Sequence, residues 1–132
     1  MGLDINAYTV SAEYAGERQF ALGIYDKGGN LRPESGAEKG LAYWKNFYQL
    51  QEWLAKLYYN KGGRQFMFNC CTVRMDRSDL DRLEQELGTV EFATLGGWDD
   101  PDEDDLAEAR EFIGRARAAI DEGKVVVLDS WW

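Results

Sequence analysis

Histidine is absent from the 132 residues of this chain. Its absence removes the side chain that most often moves protons near neutral pH. Ser-His-Asp and Cys-His nucleophiles go with it, as do most zinc and non-haem iron sites. Cysteine is scarce: Cys70 and Cys71, adjacent to each other. Neighbours on a strand point to opposite faces, so a mutual disulfide would need a strained backbone. Their spacing matches no zinc pattern, and the expectation is two reduced, structural thiols. Long apolar runs are missing as well, and none approaches the roughly 18 residues that span a bilayer. The opening MGLDINAY has no basic stretch leading into an apolar one, so no secretory signal is read there. Asn6 stands where the myristoylation pattern needs Ser or Thr. These points lead us to expect a cytoplasmic protein without membrane contact. Positive charge is outnumbered: 15 Lys and Arg stand against 24 Asp and Glu, a net −9.

What remains is a globular composition, 45% hydrophobic and 30% charged, rich in aromatic rings. Its length suits a single domain, 1–132, that buries about two-thirds of its unfolded surface and needs no disulfide or metal staple. The pattern predicts strands over 3–10 and 18–26, then a loop over 27–36. Spacings of three and four among Tyr43, Phe47, Leu50, Leu54 and Leu57 predict a helix over 40–63, ended by Gly62 and Gly63. A strand over 65–75 follows. A short helix over 78–88 comes next, with Ser78 and Asp81 resembling a capping box. Residues 89–98 read as a short strand or ordered loop. A long helix runs from Asp102 to Glu122, with Leu106, Ala109, Ile113, Ala116 and Ile120 on one face; Gly114 inside it suggests close packing. The apolar run of 124–132 predicts a strand buried on both faces. The expected fold is therefore α/β (α+β): one small sheet of about four strands packed by two long helices and one short helix.

Charge is unevenly spread. Residues 99–122 hold ten acidic and three basic side chains, and the rest of the chain is nearly balanced. Six of the seven residues from Asp99 to Asp105 are acidic. A helix N-terminus favours carboxylates, and Asp100 before Pro101 would serve as N-cap and first helical residue. Capping needs only two or three of the six. A calcium loop fails on spacing, since a proline takes the third place and the required glycine is missing. The line charge resembles that of a nucleic-acid backbone over about 10 Å, far short of a helical turn, although docking onto a basic protein patch needs less length. Asp99, Asp100, Asp102, Glu103, Asp104, Asp105 and Glu108, with the neighbouring Trp98, form the first candidate site: a surface for a protein partner that is itself basic.

A second candidate is a carboxylate and aromatic pocket. Asp4 and Asp129 sit near the ends of the first and last strands and would approach each other if those strands are neighbours. Asn69, Ser130, Tyr43, Trp44 and Trp131 complete it. Because Trp131 and Trp132 are consecutive, only one can face the core. The NKGG at 60–63 lacks the full phosphate-loop pattern and follows a helix, so it reads as a turn. No metal ligand set, cofactor motif or nucleic-acid-binding motif is found.

The segments MGLD, LAYW (41–44), LYYNKGG (57–63), FNCCTVRM (68–75), SDLDRLEQEL (78–87), FIGRARAAIDEGKVV (112–126) and the closing DSWW resemble, in order, a family of small uncharacterised bacterial and phage proteins. The resemblance implies a small α/β fold and a cytoplasmic setting, that of the host for a phage member. Relatives often carry the label phosphoglycerate kinase. That enzyme is two-lobed and several times longer, and no nucleotide loop is readable here. This chain lacks the histidine that relatives often carry in the first long helix, and has TLGGW (94–98) in place of their Phe-rich segment. Sequence alone thus favours a non-enzymatic acidic interaction protein that binds or inhibits a host macromolecule, such as a nucleic-acid-handling or defence protein. The alternatives are a small enzyme or ligand-binding domain using the pocket, and a structural, self-associating protein.

Overall fold

A computed structural model describes residues 2–97 and 99–132. Four strands, β1 (Asp4–Val10), β2 (Glu38–Lys45), β3 (Thr72–Met75) and β4 (Val125–Trp131), form one antiparallel sheet in the order β2-β1-β4-β3. The first and last strands are thus the central pair. Register sorts their side chains by period two. Ile5, Ala7, Ala42, Trp44, Val73, Met75, Val126 and Leu128 face one way and merge with the helices in the main core. Tyr8, Val10, Val125 and Val127 face the other way and pack under Ala15, Leu22 and Ile24 in a smaller core.

The helical layer holds α2 (Tyr48–Asn60), α3 (Arg77–Glu86), α4 (Val90–Thr94) and α5 (Glu103–Asp121). The opposite face is covered by residues 11–37, which include the short α1 (Ala12–Ala15) and a 3-10 turn, Pro33–Ser35. Leu50, Leu54 and Leu57 of α2 are buried against Leu80 and Leu83 of α3 and Phe112 and Ile113 of α5 in one cluster. Gly63 is required where the chain leaves α2, because a Cβ there would lie 2.3 Å from the Tyr58 ring.

The expected fold class is observed, and several element boundaries are corrected. The helix read over 40–63 begins only at Tyr48. Glu38–Lys45 is an edge strand, and Asn46, with φ of 58°, breaks the chain between the two. Its amide donates to the Leu3 carbonyl, and its side-chain oxygen accepts from the Leu3 amide, which ties the break to β1. Residues 18–26 do not form a sheet strand. They run beside β3 through a single bridge, Phe20 to Val73, and Ala21 has a left-handed φ of 56° that prevents continuation. This segment still covers the β3 edge: Arg74 donates its amide to the Gln19 carbonyl, and Ala21 donates to that of Thr72. The strand read over 65–75 shrinks to Thr72–Met75, because Cys70 at φ 57° bends the backbone.

Residues 90–94 are helical, neither strand nor loop, with the Thr89 hydroxyl accepting from the Phe92 amide. The capping box of α3 is formed by Asp76 and Asp79, not by Ser78 and Asp81. The N-cap of α5 is Asp102, whose carboxylate accepts from the Asp104 amide at 2.7 Å; it is not Asp100. Gly114 is solvent-facing with open space around it, so it mediates no close packing.

Candidate functional site

Asp129 is the anomaly of β4. Six of the seven residues of that strand are buried, and Asp129 is the one carboxylate among them, 2% exposed. Register places it between Asn6 of β1 and Thr72 of β3, on the face away from the helices. Trp131 follows on the same face, opposite Asp4. The covering segment crosses here. Tyr25 meets Trp131 edge-to-face with centroids 6.4 Å apart, and its hydroxyl lies 2.6 Å from that of Tyr8. Leu22 is fixed by Thr72, whose hydroxyl accepts from the Leu22 amide at 2.7 Å and donates to its carbonyl at 3.0 Å.

Between these parts lies a cleft of about 360 Å³, lined among others by Leu22, Tyr25, Cys71, Thr72, Asp129 and Trp131. Its size falls at the lower end of the range for small-molecule sites, about 300–1,000 Å³. Asp129 Oδ1 is shielded from solvent and accepts no hydrogen bond from the described residues. A buried carboxylate without a full set of partners resists ionisation. Burial accordingly pushes the Asp129 pKa up to about 6; the polar groups of Trp131, Tyr8 and Asn6 pull it back in part, and the Lys39 charge adds a smaller pull. The Tyr8 hydroxyl is pushed well above the ordinary tyrosine range, first by burial, then by Tyr25 and Asp129. Burial also pushes the Cys71 thiol up, which favours the neutral form over the nucleophilic thiolate. Lys39 holds its ammonium 5.6 Å from the centre of the Tyr25 ring.

Of the pocket residues read from the sequence, Asp129 and Trp131 line this cleft. Asn69 sits beside it and clamps the chain end: its amide donates to the Trp132 carbonyl, and its oxygen accepts from the Trp132 amide, each at 3.0 Å. Asp4 and Tyr43 share the face one row further along, where the Tyr43 hydroxyl donates to the Asp4 carboxylate. That bond, more than any burial, raises the Tyr43 pKa. Trp44 and Ser130 do not belong to the pocket, because strand parity turns both to the helical face. Trp44 donates its indole N–H to the Asp105 carbonyl, and Ser130 donates to that of Phe68. The condition set for Asp4 and Asp129 holds, since they lie on neighbouring strands, but Asp4 is engaged by Tyr43 and the two carboxylates have separate surroundings. Among the described residues, no group of three or more Cys, Asp or Glu gathers as a metal site. The tandem tryptophans divide: Trp131 lines this cleft, and Trp132 lines a separate groove with Leu3, Tyr48 and Gln51; each ring is about half exposed.

The acidic candidate is laid out differently. Asp99, Asp100, Asp102, Glu103 and Asp104 are exposed, and Asp105 is half-buried. Among the described residues, none of the six enters an ion pair. Burial raises the Asp105 pKa, and repulsion from Asp102 and Asp104 adds to it. Glu108 is the exception in the group, taken by Arg115. Trp98 lies outside the described residues. The backbone of the stretch is pinned at both ends: buried Gln49 donates to the Asp99 carbonyl at 2.8 Å, and Trp44 holds that of Asp105.

Sequence reasoning missed Tyr25, Tyr8, Thr72 and Lys39. The covering segment that carries Tyr25 alternates weakly enough to read as a strand, and nothing local announces that it leaves the sheet and folds back over β4. Comparison with protein-family models, curated proteins and solved structures finds no match to this chain.

Proposed function

We propose that this chain is a binding domain for a small organic molecule seated in the cleft over Asp129. The carrying observation is a buried carboxylate, Asp129, that helps to line that cleft and has one oxygen, Oδ1, without a hydrogen-bond partner among the described residues. Leaving a buried acceptor unpaired costs about 1–3 kcal/mol. A ligand that supplies a donor to the carboxylate offsets part of that cost on binding. Tyr25 and Trp131 provide the apolar walls that such sites use for affinity. Binding is favoured over catalysis by residue chemistry: the sequence holds no histidine, and the Cys71 thiol is shifted away from its reactive form. The test is a fragment screen read by backbone NMR on the whole chain. Perturbations gathered on Thr72, Cys71 and Trp131, and lost in Trp131→Ala, are expected. Hits that map elsewhere, or that persist in Trp131→Ala, would refute the reading.

A second reading has its own observation. The carboxylates from Asp99 to Asp105 are free of ion pairs among the described residues, on a backbone held at Asp99 and Asp105. That arrangement supports docking onto a basic protein surface, in one form a host nucleic-acid-handling or defence protein. Neutralising Asp99, Asp100, Asp102, Glu103, Asp104 and Asp105 together should abolish partner capture at low salt. Undiminished capture would remove this surface from the account.

A further inference from the structure

Among the oxygen-bearing side chains of the Asp129 cleft, the unspent hydrogen-bonding capacity is of one kind. Asp129 Oδ1 has no donor. Gln65, exposed at the mouth, spends its amide hydrogens on the carbonyls of Met67 at 2.9 Å and Asn69 at 2.6 Å, while its own oxygen accepts nothing among the described residues. The Thr72 hydroxyl is occupied on both sides by Leu22. The Tyr25 hydroxyl is engaged with Tyr8. Of these oxygen-bearing side chains, what is left over is acceptor, and the Trp131 indole N–H is the wall's own donor toward the carboxylate.

Formal charge points the same way. Among the described residues that line the cleft, Asp129 alone is charged, and no Lys or Arg joins it. Among the described residues Asp129 enters no ion pair; the cation that acts on it, Lys39, is stationed at the Tyr25 ring. An electron-rich ring that already holds one ammonium shows that this wall tolerates positive charge.

We infer that the ligand of this cleft is an organic cation bearing N–H donors on an apolar or aromatic body, such as an amine, amidine or guanidine, which pairs with Asp129 while its body lies against Tyr25 and Trp131. The inference rests on the binding reading above and narrows it. It excludes anions, which would meet a carboxylate and no cationic partner. It disfavours neutral rings, which leave the carboxylate charge buried and uncompensated. It also disfavours quaternary ammonium ions, which have no N–H to give.

Pairing with the ionised form makes binding depend on pH. The titratable and charged groups that face Asp129 are Tyr8 and Asp4 from β1, Lys39 and Tyr43 from β2, Tyr25 from the covering segment, and Cys70 and Cys71 from the loop before β3. Asp4 is engaged by Tyr43, so Asp129 is the group whose proton competes with the ligand. Affinity should be level above pH about 6 and fall about tenfold per pH unit below it.

The experiment titrates the whole, isotope-labelled chain with benzamidinium, its neutral isostere benzamide, and tetramethylammonium, at pH 7.5 and pH 5, following the Thr72, Cys71 and Trp131 signals. Benzamidinium should bind at least tenfold more tightly than the other two at pH 7.5, weaken about tenfold at pH 5, and lose its advantage in Asp129→Asn. Circular dichroism confirms that this variant is folded, and Tyr25→Leu, which keeps the carboxylate, should weaken benzamidinium severalfold. Benzamide bound as tightly as benzamidinium at these same signals overturns the cation inference and leaves the binding site standing. A benzamidinium affinity indifferent to Asp129→Asn overturns the inference as well. If none of the three probes moves these signals, both the inference and the binding reading fall.

Discussion

Asp129 and the run from Asp99 to Asp105 carry the same functional group in opposite circumstances. The run has six acidic side chains, mostly solvated, beside a helix N-terminus whose dipole favours them. Asp129 is single, sealed between strands and roofed by Tyr25. Water answers the charge of the first group at almost no cost, whereas the second has one oxygen that nothing answers. The lesson is that chemical potential for binding follows environment, not the number of charges. A third carboxylate completes the comparison. Asp79 is 8% exposed, yet it receives Lys61 at 2.7 Å and the Asp76 amide at 2.9 Å, so its burial is compensated.

The comparison can be broken at each of its three points. The largest effect should come from the paired buried carboxylate. Lys61→Met would take from Asp79 its nearer cation, leaving Arg82 at 3.8 Å, and also release the bonds from Lys61 to Gln19 and the Arg74 carbonyl. Removing one partner of a buried ion pair costs about 3–5 kcal/mol, and urea unfolding should register a loss of that size. A loss below about 1 kcal/mol would mean that Asp79 is better hydrated than its burial implies.

Asp129→Asn should act in the other direction. A carboxyl whose folded pKa is about 6, against about 4 unfolded, binds more protons in the native state between those values. Asp129 therefore favours folding progressively as pH falls from about 6 to about 4, and above pH 6 it penalises the native state by a constant amount of up to about 3 kcal/mol. The asparagine variant should be more stable than the parent at pH 7.5, with the gain vanishing near pH 4. Equal gains at both pH values would show that packing, not charge, causes the difference.

A smaller effect is expected at the N-cap. Asp102→Ala removes the acceptor for the Asp104 amide and should cost about 1 kcal/mol, whereas Asp102→Asn, which keeps an acceptor, should cost only a few tenths. Smallest of all are Asp99→Asn and Asp100→Asn, exposed and without ion pairs among the described residues. Each should change stability by less than about 0.5 kcal/mol. If either altered stability by more than 1 kcal/mol, the solvated description of the run would be wrong.

Period and polarity made much of the fold legible. The apolar run of 124–132 marked β4 as buried on both faces, and the stripe from Leu106 to Ile120 marked α5 together with its closing Gly123. The stretch of 40–47 was misread because Tyr43 and Phe47 satisfy a helical spacing while Ala42 and Trp44 satisfy an alternating one. Only the left-handed turn at Asn46 decides between them, and that turn depends on a contact with distant Leu3. The site was half legible for a similar reason. The prospect of pairing with Asp4 across the first and last strands singled out Asp129, and the tandem tryptophans singled out Trp131. Tyr25 and Thr72 join them only through tertiary folding: a segment read as a sheet strand instead returns across the sheet, and residues 50 apart bond to each other. Ser130 and Trp44 were drawn into the pocket by nearness in sequence, and the pleat then sent them to the other side.

The most direct test is a carbon-13 NMR titration of the Asp129 side-chain carboxyl in the folded chain. The account predicts a midpoint near pH 6, moved downward when benzamidinium is added, because the cation favours the ionised form. A midpoint at or below about pH 4, the ordinary aspartate value, would mean that the carboxylate is already satisfied within the protein and has nothing to offer a ligand.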